Sequence, residues 1–309
     1  MPLKRIRMSS LVKVAEGIDR PEDVVVGKDG RVFVSDHQCA VAEIFPDGSF
    51  KRMGPQAGAP NGINMDREGR ILLANFGIYD GVAGPLERFD PATGVREVLL
   101  SEVGGKTLTA ANYPVMDRAG NIWCANSTHA ETWPQAMDGR TDGFIFVLRA
   151  DGSSAIVAEG LKFPNGLALS ADEQFLFCAQ TSGADVLRFP VRPDATLGPG
   201  ERYGPVLGKL HVPGETPPER GSFGYTDGVG FDVEGNLWVC LPASAKIVAI
   251  TPELKVVTVL EDRWGKTLHP TNITWGGPDM KDIYIGSIRT GFVLKGRSPV
   301  AGLPHVHQL

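Results

Sequence analysis

The chain has 309 residues, 42% of them hydrophobic, with 38 Gly and 23 Pro spread along its length. That density of turn-formers suits many short strands better than one disordered tail. A formal net charge of −5, with no long basic run, argues against a nucleic-acid partner.

The first residues, MPLKRIRMSSLVKV, are basic, but no apolar stretch and no small-residue cleavage site follow them. No run of 18 apolar residues occurs anywhere, so the expectation is a soluble, cytoplasmic protein with no membrane partner. Residues 8–17 (MSSLVKVAEG) read as a strand.

From residue 21 onward a pattern of about sixteen residues recurs six times. The copies are PEDVVVGKDGRVFVSD (21–36), PNGINMDREGRILLAN (60–75), ANYPVMDRAGNIWCAN (111–126), PNGLALSADEQFLFCA (164–179), TDGVGFDVEGNLWVCL (226–241) and TNITWGGPDMKDIYIGS (271–287). Each is a short strand, a polar turn and a second strand, which is a β-hairpin signature. A third element often follows, as in AEIFPDGS, LERFDPATG and FVLRADGS. Three strands and a more variable fourth make one blade, so the chain is expected to be all-β: a six-bladed β-propeller with a central metal-binding channel, forming a single domain over 1–309. No helical periodicity competes with that reading. Closing the ring requires segment 8–17 to pair with the last blade beside GFVLKG (291–296). Cys39, Cys124, Cys178 and Cys240 have no CxxC spacing, and three lie in apolar strand patterns, so no disulfide framework is expected.

The second residue of each copy is an acid or an amide: Glu22, Asn61, Asn112, Asn165, Asp227 and Asn272. The innermost strands of a propeller begin around the axis, so these six side chains converge. Buried together without partners they would be costly, and a hard cation resolves the cost. The absence of His and Cys argues against a structural zinc or a copper site. One divalent cation is expected, Ca²⁺ first, with Mg²⁺, Mn²⁺ or Zn²⁺ as alternatives. Taken singly, Asn61-Gly62, Asn165-Gly166 and Asp227-Gly228 are also ordinary turn-formers; their common register across six copies favours a shared site.

PEDVVV, NYPVMDRAGNIW, FPNGLALSADE, TDGVGFDVEGNLWV and the C-terminal GFVLKGRSPVAGLP give nearly the whole chain a family resemblance. It resembles the senescence marker protein (regucalcin), gluconolactonase and luciferin-regenerating enzyme family, which is related to diisopropylfluorophosphatase. The resemblance implies a six-bladed propeller whose channel metal, usually calcium, is bound by Glu22, Asn112, Asn165 and Asp227. It leaves Asn61 and Asn272 to contact the substrate or the ligands. Family members often carry Asp after the Asn at 112, where this chain has Tyr113, so a carboxylate beside the metal is missing. The organophosphatase's channel histidines are replaced by Thr274 and Ile288.

The activity implied is metal-dependent hydrolysis of a lactone, such as a sugar lactone, or a similar cyclic ester. The metal would act as Lewis acid and Asp227 as general base. The alternatives are another metal-dependent propeller enzyme (a phosphotriesterase or lyase) or a non-catalytic calcium-binding propeller. A small-molecule substrate would meet the long inserts 74–85, 126–143 and 203–225. Candidate contacts there and in the channel are Asn61, Tyr113, Asn272, His37, His129 and Glu131, with Trp133 and Tyr79 beside them. VGGKTLT (103–109) resembles a phosphate-binding loop, but Leu100 stands where the motif needs its first Gly, and no helix follows.

Overall fold

The computed structural model describes residues 3–56, 58–79, 81 and 83–309, without the side chain of Tyr79. Six four-stranded antiparallel sheets follow one another along the chain, and the first sheet packs back on the last. The first blade comprises Val24–Val26, Val32–Val34, Val41–Ile44 and Phe50–Met53, and the second Pro60–Met65, Ile71–Asn75, Leu86–Phe89 and Arg96–Leu100. The third, Ala111–Met116, Ile122–Asn126, Gly143–Leu148 and Ser154–Leu161, and the fourth, Pro164–Leu169, Phe175–Gln180, Asp185–Pro190 and Glu201–Arg202, complete one half of the ring. The fifth is Val229–Phe231, Leu237–Leu241, Lys246–Ile250 and Val256–Glu261.

The sixth blade is built from both ends of the chain. Ile273–Gly276, Asp282–Ile285 and Val293–Arg297 are joined on the outside by Val12–Val14, in the register Val12↔Lys295, Lys13↔Leu294, Val14↔Val293. The expected ring closure is therefore present, and Ile6 extends it by donating its N–H to Val259 O of the fifth blade at 2.8 Å.

In each blade the second strand is almost wholly buried while the fourth alternates or faces solvent. The apolar second strands thus pack sheet on sheet around the ring, and Trp238 meets Trp275 edge to face across the fifth and sixth blades, 5.1 Å between centroids. The Asp of the hairpin turns is a local organiser. Asp232 accepts the N–H groups of Glu234 and Asn236, the Asn236 amide and the Trp238 indole N–H at 2.8–3.0 Å, and Asp117 serves Asn121 and Trp123 in the same way. One acidic residue ties the turn to the buried strand behind it.

The VGGKTLT segment is a tight hairpin, Glu102–Val103 against Lys106–Thr107, with Gly104 and Gly105 both in the left-handed region (φ 58° and 78°). Only glycine adopts that pair readily, which is the reason for the sequence there. All four cysteines are buried and unpaired. Among the described residues no helix is long and apolar enough to cross a membrane.

The C-terminal residues run beneath the blades on the hairpin-turn side. Val233 N–H donates to Ala301 O and Leu303 N–H to Phe231 O, and the Gln308 amide bonds Val26 O and Trp275 O. Leu303 to Val306 and Leu309 line a cavity with Val115, Leu169, Phe231 and Trp275, the far ends of four inner strands. The tail therefore underlies the turn-side ends of the inner strands, opposite the ends where the acid and amide side chains sit.

Candidate metal centre

The inner strands do not run straight. The pairing register slips by one residue between Pro60 and Ile63, between Ala111 and Pro114, and between Pro164 and Leu167. The residues caught in these β-bulges are Asn61-Gly62, Asn112-Tyr113 and Asn165-Gly166. They are bulges within strands and not hairpin turns, and a bulge re-aims its side chains. The glycines permit close approach of the next blade: a Cβ on Gly62 would stand 2.3 Å from Asn112 O, and one on Gly166 2.7 Å from Asp227 O.

Glu22, Asn61, Asn112, Asn165 and Asn272 are buried, and Asp227 is partly open. A directed hydrogen-bond chain orients the amides. Arg20 Nη2 donates to Asn61 Oδ1 (2.5 Å), Asn61 Nδ2 to Asn112 Oδ1 (2.7 Å), Asn112 Nδ2 to Ser127 Oγ (2.8 Å), and Ser127 Oγ to Pro164 O (2.8 Å). The chain begins at a group that only donates and ends at a carbonyl that only accepts, so every amide in it has one possible orientation. On the fourth blade, Asn165 Nδ2 donates to Thr181 Oγ1 (3.1 Å), which donates to Thr226 O (2.7 Å). Both Asn112 and Asn165 thus spend their NH₂ groups on hydroxyls at the end of the neighbouring strand. Asn112 Oδ1 keeps one lone pair for a ligand, and Asn165 Oδ1 is turned away from Thr181.

Asp23 brings a third carboxylate to the ring. Its oxygens accept Val24 N–H and Ile63 N–H, each at 2.7 Å, and the Asn272 amide, linking blades one, two and six. Asn272 Nδ2 also lies 3.3 Å from the Tyr113 hydroxyl of the third blade. Thr271 Oγ1 donates to Glu22 O at 2.7 Å, fixing the backbone that carries Glu22.

The electrostatics follow from burial. Desolvation pushes Glu22 up to about 7, with the nearby Arg20 charge opposing it. Asp227 is raised well above the ordinary carboxylate range by desolvation and then by the Glu22 charge, with an Asn165 hydrogen bond pulling the other way. Asp23 rises to about 8 through burial, against its N–H donors. Carboxylates in this state favour a positive charge among them.

Glu22 Oε2 is buried and has no hydrogen-bond partner among the described residues; Asn272 Oδ1 is in the same position. These unsatisfied oxygens, with oriented amide oxygens and no nitrogen or sulfur donor, fit a hard cation. Among the described residues no trio of His, Cys, Asp or Glu forms a metal cluster, because half of the expected donors here are amides.

The outer candidates lie elsewhere. His129 is exposed on the insert of the third blade, its ring Nδ1 3.2 Å from Thr109 Oγ1 and its backbone N–H donating to Asp142 at 2.9 Å. Glu131 is exposed two residues on, and His37 is half-buried in the loop after Val32–Val34. Trp133 begins a four-residue helix and stacks on Phe76 and Phe163 at 5.6 and 6.1 Å, forming an aromatic wall over blades two to four. Arg20, Asp23, Ser127 and Thr181 were not among the candidates drawn from the sequence. The hydroxyls at 127 and 181, each one residue past a second strand, were the visible signal.

Fold and channel define a six-bladed propeller with an oxygen-lined axial site. Residues 76–289 match the family described as SMP-30/Gluconolactonase/LRE-like region, and the chain belongs to it. Residues 6–39 also match the N-terminal strictosidine synthase-like family. A gluconolactonase of Zymomonas mobilis is 26% identical over 67% of this chain and 55% of its own length. Strictosidine synthase-like protein 13 of Arabidopsis thaliana is 27% identical over 68% of this chain and 57% of its own. The 6-deoxy-6-sulfogluconolactonase of Pseudomonas putida is 25% identical over 78% and 76%. The chain thus spans little more than half the length of the first two relatives. The solved structure of regucalcin from Agrobacterium tumefaciens, a calcium-binding protein, superposes with a TM-score of 0.74 at 15% identity, covering 97% of each chain, which is a likeness of fold.

Proposed function

We propose that the protein hydrolyses a lactone, a sugar lactone or a similar cyclic ester, at a divalent cation held by Glu22, Asn112, Asn165 and Asp227. The observation that carries this reading is that Glu22 Oε2 is buried with no hydrogen-bond partner among the described residues, in a ring where the Asn61 and Asn112 amides have their orientation imposed from both ends. Family membership and lactonase relatives from two bacteria support the reaction class. Ca²⁺ is the first choice of ion for an all-oxygen donor set.

When bound, the cation would supply Lewis-acid polarisation of the ester carbonyl. The remaining work falls to this chain's side chains. Asp227 is the one carboxylate of the ring that is not fully buried, which supports it as the group that takes a proton from an attacking water. Asn61 holds the expected ligand Asn112 by its amide, while Asn272 holds Asp23 and the Tyr113 ring packs against Gly62. Substrate enters from the side of Trp133 and His129, because the tail underlies the opposite ends of the inner strands.

The test is a lactone panel offered to metal-stripped protein with and without Ca²⁺, Mg²⁺, Mn²⁺ or Zn²⁺, with a phosphotriester as control. Metal-restored turnover of a lactone is expected. Turnover of the phosphotriester alone, or tight metal binding with no turnover, would overturn the assignment.

A further inference from the structure

Arg20 is an unexpected neighbour for a cation site. Its guanidinium donates to Asn61 Oδ1 and to Pro60 O (3.0 Å) and lies 3.9 Å from Glu22 Oε2; the two charged side chains are only 8% and 7% exposed. Its backbone is left-handed, φ +52°, a conformation that costs a non-glycine residue free energy. Buried ion pairs rarely repay their desolvation, so this arrangement is weak as a stabilising device. It is better explained by what the charge does to the ring.

We propose that Arg20 sets the charge selectivity of the channel: its fixed positive charge beside Glu22 holds the ring to divalent cations. The inference rests on the cation reading above. Glu22 and Asp227 are the two carboxylates expected to hold the ion, while the oxygens of Asp23 are taken up by Val24, Ile63 and Asn272. The guanidinium, which does not lose its proton in proteins, sets one fixed positive charge 3.9 Å from Glu22 Oε2. Repulsion between a fixed positive charge and a bound ion grows in proportion to the ion's charge. A trivalent ion is therefore penalised by one full charge–charge interaction more than a divalent one. Asn61 and Pro60 hold the guanidinium in place, so it cannot swing to solvent when a cation arrives.

The experiment measures Ca²⁺ and Tb³⁺ dissociation constants by competition on the full chain, for wild type, Arg20→Met and Arg20→Lys. Arg20→Met keeps the aliphatic stem and removes the charge; the Tb³⁺ over Ca²⁺ affinity ratio is expected to rise about tenfold or more. Arg20→Lys keeps the charge and should stay within about twofold of wild type, as a control for the lost fork geometry. An unchanged ratio in folded Arg20→Met would overturn the proposal while leaving the cation site intact. If that variant does not fold, Arg20→Gln, whose amide can still donate to Asn61, carries the same comparison. Wild type that binds neither ion overturns both the cation reading and the role of Arg20.

Discussion

The hydroxyl of Tyr113 stands 3.3 Å from Asn272 Nδ2, joining the third blade to the sixth, the two blades that face each other across a ring of six. Tyr113 occupies the position that is Gly62, Gly166 and Gly228 in three other blades, and it is buried. A Cβ on Gly62 would lie 2.6 Å from its ring, so the Tyr113 ring packs directly on the Gly62 backbone. The residue that removes the family's usual carboxylate thus builds a strut across the channel. A carboxylate does stand nearby, but it is Asp23, from another blade.

Truncating that strut separates its two contributions. Tyr113→Phe removes one hydrogen bond whose partner, Asn272, keeps Asp23, and should cost about 1 kcal/mol or less. Tyr113→Ala empties the axis and should cost about 3–5 kcal/mol. Urea unfolding measures both; equal costs would mean that the ring contributes nothing beyond its hydroxyl.

Asp227 is predicted to act on turnover more than on binding. Asp227→Asn keeps an oxygen for the ring but cannot take a proton, so kcat should fall at least about a hundredfold. Cation affinity should fall less than tenfold. Steady-state kinetics beside calorimetry decides the matter: equal losses in both would make Asp227 a ligand only.

Ser127 accepts from Asn112 and donates to Pro164 O, the last link of the directed chain. Ser127→Ala leaves every expected ligand in place but frees the Asn112 amide to turn. Cation affinity should weaken roughly three- to tenfold, the equivalent of one hydrogen bond. Titration calorimetry that finds no change would show that Asn112 needs no such support.

Much of this architecture was legible in the sequence, and the parts that were not share a cause. Six copies of a hairpin pattern, with an acid or amide always second, reveal blades and ring because they are local and repeated. The pairing of Val12–Val14 with Val293–Lys295 was accessible because a ring must close. Arg20 and Asp23 were hidden because their meaning depends on partners in other blades, at Asn61, Ile63 and Asn272. The bulges were hidden as well: Asn-Gly reads as a turn until the neighbouring strand shows where the register slips. Likewise nothing in LPHVHQL announces that it packs beneath the inner strands.

Ring closure gives a stability prediction. Removing residues 1–14 takes away the outer strand of the sixth blade and the Ile6 anchor, which is buried with Trp238, Leu268 and Ile283. The melting temperature should fall by about 5 °C or more, with the transition broadened as the sixth blade frays. An unchanged calorimetric trace would show that the first and last blades hold together without the terminal strand.

The tail beneath the ring should be sensitive to acid. His307 is buried, with a ring nitrogen 3.2 Å from Val26 O, and burial lowers its pKa to about 3; the stacked, half-buried His305 is lowered to about 4. Since Val26 O can only accept, the bonded nitrogen carries the proton and the native imidazole is neutral. An unfolded chain protonates its histidines near 6.5, so between that pH and the native pKa the unfolded state binds more protons. The stabilisation is therefore complete above pH 6.5 and is lost progressively as the pH falls toward 3. The buried carboxylates Glu22 and Asp23, whose pKa values are raised, act in the opposite direction, so a single pH curve would mix the two. Comparing wild type with His307→Gln cancels them, because Gln can still donate to Val26 O but has no charge to gain. From pH 7.5 to pH 5 wild type should lose about 2 kcal/mol relative to the variant in urea unfolding. Parallel curves would mean that His307 accepts a proton in place and that the tail does not keep it neutral.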